Sequence, residues 1–405
     1  MTTAAERLLR YVRIDTAADE TADTSPSSPG QGELARLIAA ELREIGVPEV
    51  EITPFGVLRG ALPATPGLES LPAVGFIAHL DTSPDASGAN VHPQLHPDYD
   101  GGPVPLGDSG KTLDLARFPE LAAYRGQTLI TTDGTTLLGA DDKAGAAEIV
   151  TMLERLIAAG TPHRKICVAF TPDEEIGRGT DHFDLAAFGA AYAYTADGGA
   201  AGSIESANFN AALATVRFAG RPVHPGSAKG KMRNAITLAM EFHALLPADD
   251  IPEKTEGTQG FHHLEKLTGT VAEATALYLL RDHDARKLEA RKAYFAAAAE
   301  TVNRRHGESA VTLAIRDQYR NMETVLARHP EVLERAERAA RAAGLAPTHP
   351  VVRGGTDGAE LSWRGLPCPN LGTGGHNFHG EYEFITVEAM ERAAAMLLAL
   401  AAQTD

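Results

Sequence analysis

Apolar residues recur along the first half of the chain with two alternating periods. A helical period predicts helices over 31–46 and 143–159. Short continuous apolar runs predict buried strands over 73–79, 166–170 and 191–195. Strands that alternate with helices are typical of a mostly parallel sheet with helices on both faces. We therefore predict an α/β fold for this half.

The middle of the chain has a different order of predicted elements. It contains a strand, a helix, two strands, a long helix and a last strand, at 211–218, 232–246, 267–281, 285–305 and 310–317. This βαββαβ order is that of a ferredoxin-like α+β domain. The middle of the chain is therefore predicted to form a compact domain of its own.

The α/β pattern resumes after this domain, with a helix at 331–343, a strand at 370–374 and then a last helix. The chain has 405 residues, more than one hydrophobic core usually serves. We predict a catalytic domain built from residues 1–207 and 319–405, interrupted by an inserted lid domain at 208–318.

One long stretch, 81–112, shows no regular period and is rich in Pro, Gly and His. Connections of this length without secondary structure are uncommon in compact domains. Long loops often carry function, and a merely decorative loop is the equal alternative here.

Composition and charge narrow the classes of partner. The 37 Lys and Arg against 54 Asp and Glu give a net charge of −17, and no basic stretch is dense enough to follow a phosphate backbone. Two cysteines do not make a disulfide framework and fit a reducing compartment. Neither a secretion signal nor an apolar run of about 20 residues is visible. We expect a cytoplasmic protein without nucleic-acid or membrane partners, and a homodimer is left open.

The first polar motif is FIAHLDT at 76–82, where an apolar run ends in His79 and Asp81. Side chains two residues apart on a strand face the same way. The carboxylate can then hold the second imidazole nitrogen of a metal-bound histidine. An ordinary hydrogen bond between the two side chains is the simpler alternative, and this motif taken alone favours it.

The second motif, LGADDKAG at 138–145, places Asp141 and Asp142 at a predicted helix start. Aspartate is a favoured N-cap residue, but capping requires only one of the two. In the functional interpretation Asp141 is a carboxylate that bridges two cations of a two-metal site.

The third motif, VAFTPDEEIG at 168–177, is an apolar strand that ends in proline and three acids. An isolated acidic trio is usually a solvated turn. Here the trio follows the carboxyl end of a buried strand, where open α/β sheets bind their ligands. One of Glu174 and Glu175 can then bind metal while the other accepts a proton from water.

The last two motifs add further candidate ligands. AYTADGG at 193–199 ends in Asp197, and GTGGHNFHGEYE at 372–383 contains His376 and His379, either of which could bind metal. A parallel sheet gathers the ends of its strands at one edge, so the five motifs are expected to meet there. Imidazole and bridging oxygen ligands suit two Zn²⁺ ions, and Mn²⁺ or Co²⁺ less well.

These five motifs resemble those of the zinc aminopeptidase/deacetylase superfamily, which includes peptidase T, carboxypeptidase G and succinyl-diaminopimelate desuccinylase. The resemblance is closest to the peptidase T branch and extends over nearly the whole chain. It includes stretches away from the five motifs, namely GQTLITTDG at 126–134, VHPG at 223–226, AKG at 228–230, GGTDG at 354–358 and GLPCPN at 365–370.

The resemblance implies a fold of the di-zinc exopeptidase type and a complete ligand set. His79 and Asp197 would bind one zinc ion, Glu175 and His379 the other, and Asp141 would bridge them. The family also holds the bridging aspartate before a cis peptide bond, which here would join Asp141 to Asp142.

The resemblance further implies the roles of the neighbouring side chains. Glu174 would be the general base and Asp81 would orient His79. His379 is preferred over His376 as the ligand, because the family places a glutamate four residues after it, here Glu383.

In the lid domain, the resemblance implies that His224 and Arg281 close over the substrate. His224 would stabilise the oxyanion, and Arg281, with Arg353 as a second candidate, would bind the C-terminal carboxylate of a short peptide. The implied activity is that of a metalloprotease of peptide catabolism, a hydrolase that removes the N-terminal residue from tripeptides.

Three alternatives have weaker support. A dipeptidase or an N-acyl amino acid deacetylase of the same superfamily would lack the stretches that resemble peptidase T. A metal-binding protein without catalysis would be favoured by loss of the general base or of a ligand, and neither is lost in this sequence. A nonenzymatic carbohydrate- or peptide-binding module would likewise have no use for adjacent Glu174 and Glu175. Cleavage of trialanine, but not of N-acetylated amino acids, would separate the first alternative from the prediction.

Overall fold

Helices and strands alternate through residues 1–206 of the computed structural model, which describes residues 1–307 and 309–404. The helices are α1 Ala4–Tyr11, α2 Pro29–Glu44, α3 Ala140–Ala159 and α4 Leu185–Phe188. The strands are β1 Glu49–Ile52, β2 Leu58–Leu62, β3 Val74–His79, β4 Gln94–His96, β5 Val104–Pro105, β6 Thr112–Leu113, β7 Leu129–Thr131, β8 Ile166–Thr171, β9 Tyr192–Gly198 and β10 Ile204–Glu205. Short 3₁₀ helices lie at Pro119–Tyr124 and Glu174–Ile176.

The hydrophobic pattern located the main elements of this part correctly. The predicted strands correspond to β3, β8 and β9, and the predicted helices to α2 and α3. Every residue of β3 and of β8 is buried, so both strands appear in the sequence as continuous apolar runs. α3 is bounded at Ala140, but Asp141 and Asp142 have non-helical backbone angles, so its regular part starts after them, where the sequence predicted the helix.

Residues 207–323 have the predicted βαββαβ order. Their elements are β11 Asn210–Ala219, α5 Ala235–His243, β12 Phe261–Gly269, β13 Glu273–Asp282, α6 Ala285–His306 and β14 Val311–Asp317. The strands form an antiparallel sheet in the order β12–β13–β11–β14, and α5 and α6 pack against it. Phe218, Phe242, Tyr278 and Phe295 are buried in the core of this sheet and its helices.

One strand of this sheet corrects the sequence prediction. β12 starts at Phe261, not at 267, and pairs with β13 from its first residue. Its first six residues, FHHLEK, do not alternate between apolar and polar positions, and the pattern therefore missed them.

The last part of the chain completes the larger sheet. It contains α7 Glu323–Leu326, α8 Pro330–Ala342, α9 Asp357–Trp363, β15 Asn370–Gly372, β16 Phe384–Thr386 and α10 Val387–Ala401. The sheet has the order β1–β2–β8–β3–β9–β15–β10. Its central strands β8, β3, β9 and β15 run parallel, and the outer pairs are antiparallel. The prediction of a mostly parallel central sheet is confirmed.

Both faces of this sheet are covered. Neighbouring residues of β3 point to opposite faces, and Phe76 and Ile77 belong to two different apolar clusters. Because β3, β8 and β9 are parallel, their carboxyl ends lie at one edge of the sheet. The polar motifs at 76–82, 168–177 and 193–199 include the carboxyl ends of these three strands.

The stretch 81–112 has more structure than its sequence predicted. It contains β4 and β5, and β6 starts at its last residue. β4 joins β7 and β16 in a three-stranded sheet, while β5 and β6 pair only with each other. These strands are two or three residues long, too short to show a period in the sequence.

The chain divides into two compact units. The first comprises residues 1–206, 324–350 and 356–405, and the second comprises residues 207–323 and 351–355. Within the part of the chain that the structure describes, no helix has the length and apolar character needed to cross a membrane.

Candidate dinuclear metal centre

His79, the last residue of β3, lies at the centre of the polar cluster at the sheet edge. Its side chain is 2% exposed. Its Nε2 atom lies 2.9 Å from Oδ1 of Asp141 and 3.5 Å from Oδ1 of Asp197, at the end of β9. Its Nδ1 atom faces Asp81, at 3.1 Å from the carbonyl oxygen and 3.4 Å from Oδ1. His79 is thus fixed on one side and surrounded by carboxylates on the other.

Two groups of side chains that could each hold a metal ion lie in this cluster. Their donor atoms lie within 4.8 Å of one another, and the groups are His79, Asp141 and Asp197, and Asp141, Glu175 and His379. Asp141 belongs to both groups. These are the ligand sets that the sequence resemblance implies.

The donor chemistry fits two divalent cations. Two groups of imidazole and carboxylate ligands that share one carboxylate match a two-metal site of the kind that zinc occupies. Oε1 of Glu175 is buried and has no hydrogen-bond partner in the described residues. A buried carboxylate oxygen without a partner is costly unless a cation neutralises it.

Electrostatics in the cluster support the same fit. Burial raises the pKa of Asp197 to about 7, although His79 opposes this shift. Burial alone would raise the pKa of Asp141 as well, but hydrogen bonds with His379 and His79 hold this pKa below the usual range. Charged groups that are crowded into a buried space shift one another's pKa values in this way. A divalent cation bound among these carboxylates would relieve this crowding of negative charge.

Asp81 has a wider set of contacts than the sequence indicated. Its Oδ1 accepts the backbone N–H of Glu174 and its Oδ2 that of Glu175, both at 3.0 Å. The same carboxylate therefore faces His79 and fixes the backbone of both glutamates. Sequence reasoning found the first relationship and missed the second, because the partners are more than 90 residues apart.

The side chain of Glu174 accepts a hydrogen bond from the backbone. Its Oε1 accepts the N–H of Asp357 at 3.2 Å, and Asp357 in turn accepts a hydrogen bond from Thr171 at 2.7 Å. Burial, followed by the charge of Asp197, raises the pKa of Glu174 well above its usual range. Asp357 lies in the GGTDG stretch, whose role the sequence did not reveal.

The adjacent aspartates have separate roles. The peptide bond between Asp141 and Asp142 is cis, as the resemblance implied. Asp142 accepts the backbone N–H groups of His79 and Gly145, so it connects the strand end to the start of α3. Capping therefore accounts for Asp142, and Asp141 remains directed at the imidazoles.

Glu383 joins the last motif to the second. Its carboxylate accepts the N–H groups of Leu138, Gly139 and Asp141, at 2.7, 2.8 and 3.1 Å. Burial raises its pKa to about 7. The glutamate that marked His379 as a ligand in the sequence thus holds the loop that carries Asp141.

His376 lies outside both groups. Its Nε2 is 2.5 Å from the hydroxyl of Tyr124, and its ring stacks on Phe384 at 5.0 Å between centroids. His379, by contrast, has its Nε2 at 3.0 Å from Glu175 and 3.3 Å from Asp141. Of the two histidines in this motif, the structure brings only His379 to the cluster.

The three predicted substrate-binding residues lie in the second unit. His224 is exposed, and its Nδ1 accepts the N–H of Gly226. Arg281 is 8% exposed and lies over the ring of Tyr319, at 5.2 Å from the ring centroid. Arg353 lies over the rings of Phe209 and Phe261.

Known proteins are similar to this chain over most of its length. Residues 131–403 match the peptidase family M20/M25/M40. The chain belongs to this family. It is 50% identical over 394 residues to a protein named peptidase T from Clostridium perfringens, with 97% of each chain covered. It is 49% identical over 400 residues to a peptidase T from Caldanaerobacter subterraneus, with 98% of each covered.

Solved structures show the same fold. An aminopeptidase PepT from Bacillus cereus has a TM-score of 0.77 at 24% identity, covering 99% of this chain and 98% of that one. A dinuclear metal binding peptidase of the M20 family from Bacillus subtilis has a TM-score of 0.62 at 15% identity, with 98% of each chain covered. The predicted resemblance, fold class and peptide-bond hydrolase class are confirmed.

Proposed function

We propose that this M20-family member is a di-zinc aminopeptidase that removes the N-terminal residue from tripeptides. The observation that carries the proposal is the pair of ligand groups that share Asp141 and lie beside Glu174. Relatives of about 50% identity carry the name peptidase T, and a structure of the same fold from Staphylococcus aureus is described as a tripeptidase. The two free, buried cysteines fit action in the cytoplasm.

The ligand groups assign each side chain a place in the centre. His79 and Asp197 would hold one zinc ion, Glu175 and His379 the other, and Asp141 would contact both. When bound, the two ions would polarise the scissile carbonyl and lower the pKa of the attacking water toward 7.

Glu174 is suited to transfer the proton. Its backbone N–H donates to Oδ1 of Asp81, and its side-chain Oε1 accepts the N–H of Asp357. A carboxylate with a raised pKa accepts a proton at neutral pH more readily than an exposed one. Glu174 would take a proton from the attacking water and deliver it to the nitrogen of the departing peptide.

Substrate ends would be recognised by opposite charges. The free amine of a peptide suits the carboxylates around Asp141 and Asp197. Arg281 would bind the C-terminal carboxylate, and its guanidinium is oriented by Tyr319 and by a hydrogen bond from Nη1 to Gln318. His224 would stabilise the oxyanion.

Arg353 is the second candidate for the carboxylate. Its Nη1 atom donates to the carbonyl oxygens of Gly257 and Gln259, and its Nη2 atom to Thr255. Both arginines bind groups of their own unit, and we place Arg281 first because the sequence resemblance assigns it to the substrate.

The proposal is tested by supplying the metal-free chain with Zn²⁺ and assaying trialanine, dialanine, tetraalanine and N-acetylalanine. Trialanine should be cleaved fastest, with alanine released from its N-terminus. Faster hydrolysis of dialanine or N-acetylalanine would replace the proposal by a dipeptidase or a deacetylase. A chelator-treated sample without added metal is the control.

A further inference from the structure

The two metal positions are built with different rigidity. His79 ends a central strand and its side chain is 2% exposed, whereas the side chain of His379 is 41% exposed and lies on a loop. The backbone of His379 also has a φ of +61°, in the left-handed region that side chains other than glycine seldom adopt. The position of His379 therefore depends on whatever fixes residues 376–383, here called the His379 loop.

Side chains of residues 104–124 contact this loop at several points. Lys111 forms an ion pair with Glu381 at 2.5 Å. Tyr124 has its hydroxyl 2.5 Å from Nε2 of His376. Arg117 lies over the ring of Tyr382, at 4.6 Å from the centroid. The contacts thus occur on both sides of His379 in the sequence.

These residues belong to a folded body and not to a loose loop. Leu106, Leu113, Leu121 and Tyr124 are buried in one apolar cluster with Phe384, which follows the His379 loop directly. Lys111 also donates to the carbonyl oxygen of Gly134 at 2.7 Å. The segment 104–124 is therefore anchored independently of the contacts that it makes with Glu381 and His376.

We propose that residues 104–124 act as a latch that positions His379 and so sets the affinity of the second metal position. The inference rests on the dinuclear centre of the proposed function. In this view Lys111 and Tyr124 are positioning residues. The stretch 81–112 then contributes to the site at both ends, through Asp81 and through Asp85, whose Oδ2 lies 3.5 Å from Nδ1 of His379, and through Lys111. The His79 position shares Asp141 with the second position but makes none of these contacts, so it should depend less on the latch.

The test is a metal titration of the chelator-treated protein with Zn²⁺, followed by competition with a chromophoric chelator. Lys111→Ala and Tyr124→Phe remove the ion pair and the hydroxyl contact. Each should weaken one Zn²⁺ equivalent by up to about 10-fold and affect the other less. A loss of 10-fold is the lower end of what removal of a direct partner of a metal ligand costs, and these two side chains contact neighbours of His379. Lys111→Arg should restore most of the affinity.

A matched control distinguishes this from general destabilisation. Arg155 and Glu391 form an ion pair of the same 2.5 Å length and similar exposure in the same unit, away from the His379 loop. Arg155→Ala should alter neither Zn²⁺ equivalent. Thermal unfolding of the metal-free variants should match the metal-free wild type, because the latch acts through the ligand.

Two results would contradict the latch. Unchanged affinity of both equivalents in Lys111→Ala and Tyr124→Phe would refute it, and so would an equal loss at both. Binding of a single Zn²⁺ equivalent by the wild type would instead refute the dinuclear centre of the proposed function. The absorption spectrum of Co²⁺ bound in place of Zn²⁺ provides a second readout, which should change more for the weaker equivalent than for the tighter one.

Discussion

Asp357 donates its backbone N–H to Oε1 of Glu174, and this hydrogen bond joins residues 183 positions apart in the chain. Asp357 is the first residue of α9, which is capped by the side chain of Thr356. A donor at the start of a helix favours a negatively charged partner. The side chain proposed as the general base is therefore oriented by the main chain, and its chemistry can be changed without removing the donor.

Glu174→Gln should separate proton transfer from metal binding. The amide oxygen can still accept the N–H of Asp357, but glutamine cannot take a proton from water. We expect kcat to fall by about 10²- to 10⁴-fold, while atomic absorption still finds the wild-type zinc content. Stopped assays with trialanine measure the first quantity.

Glu175→Gln is the matched comparison for Glu174. Glu175 belongs to a ligand group and lies 3.0 Å from His379, so its replacement should lower the zinc content. If Glu174→Gln lost zinc and Glu175→Gln kept it, the two roles would have to be exchanged.

Arg281→Ala should weaken the recognition of the C-terminal carboxylate of the substrate. A hydrogen bond to a charged group contributes about 1.5–3 kcal/mol, and we expect kcat/KM for trialanine to fall by the corresponding factor. C-terminally amidated trialanine has no carboxylate to lose, so its kcat/KM should change little. An equal loss for both substrates would show that Arg281 acts on the structure of its unit, and Arg353 would be tested next.

Glu148→Met should stabilise the protein at neutral and higher pH. Glu148 is 1% exposed, its Oε1 has no hydrogen-bond partner in the described part of the chain, and burial raises its pKa well above the usual range. An apolar side chain of similar length removes that cost, and the free energy of unfolding should rise by about 1–3 kcal/mol at pH 8. Urea unfolding measures the change.

The pH dependence of Glu148 has a defined sign. Since its pKa is higher in the folded state, stability is greatest below the unfolded pKa of about 4.5 and falls as pH rises above it. The gain from Glu148→Met should therefore shrink toward pH 4.5. Glu148→Gln, which stays polar but cannot ionise, should gain less than Glu148→Met at pH 8. A gain that is the same at both pH values would contradict the ionisation argument.

Because of His262, we expect the second unit to lose stability in mild acid. His262 is 3% exposed, and burial, with the charges of Arg291 and His243, lowers its pKa from 6.5 to about 4. The unfolded state then binds the proton first, so stability falls as pH drops from 6.5 to 4. The loss due to His262 should reach about 2 kcal/mol at pH 5.

His262→Phe provides the comparison, since the ring already packs edge-on against Phe295 at 5.8 Å between centroids. Urea unfolding at pH 7 and pH 5 should show a smaller difference for this variant than for the wild type. Equal differences would mean that His262 stays neutral in both states or is protonated in both.

Local features of the sequence predicted much of the fold. β3 and β8 are recognisable because all of their residues are buried, and the βαββαβ order survives an error in the start of β12. The five motifs identified every member of the two ligand groups, although the choice of His379 over His376 needed the family resemblance. The hydrophobic pattern did not predict the short strands β4, β5 and β6, because two or three residues cannot display a period.

By itself, the sequence determined the elements, the carboxylates and imidazoles at their ends, and the family that combines them. These properties depend on spacing between near neighbours in the chain. Only the tertiary structure decided which groups hold the site in place. Glu383 binds a loop about 240 residues earlier, and Asp357 and Asp81 fix glutamates far from themselves in sequence. Such partners are chosen by the packing of whole elements, and no period or motif records that choice.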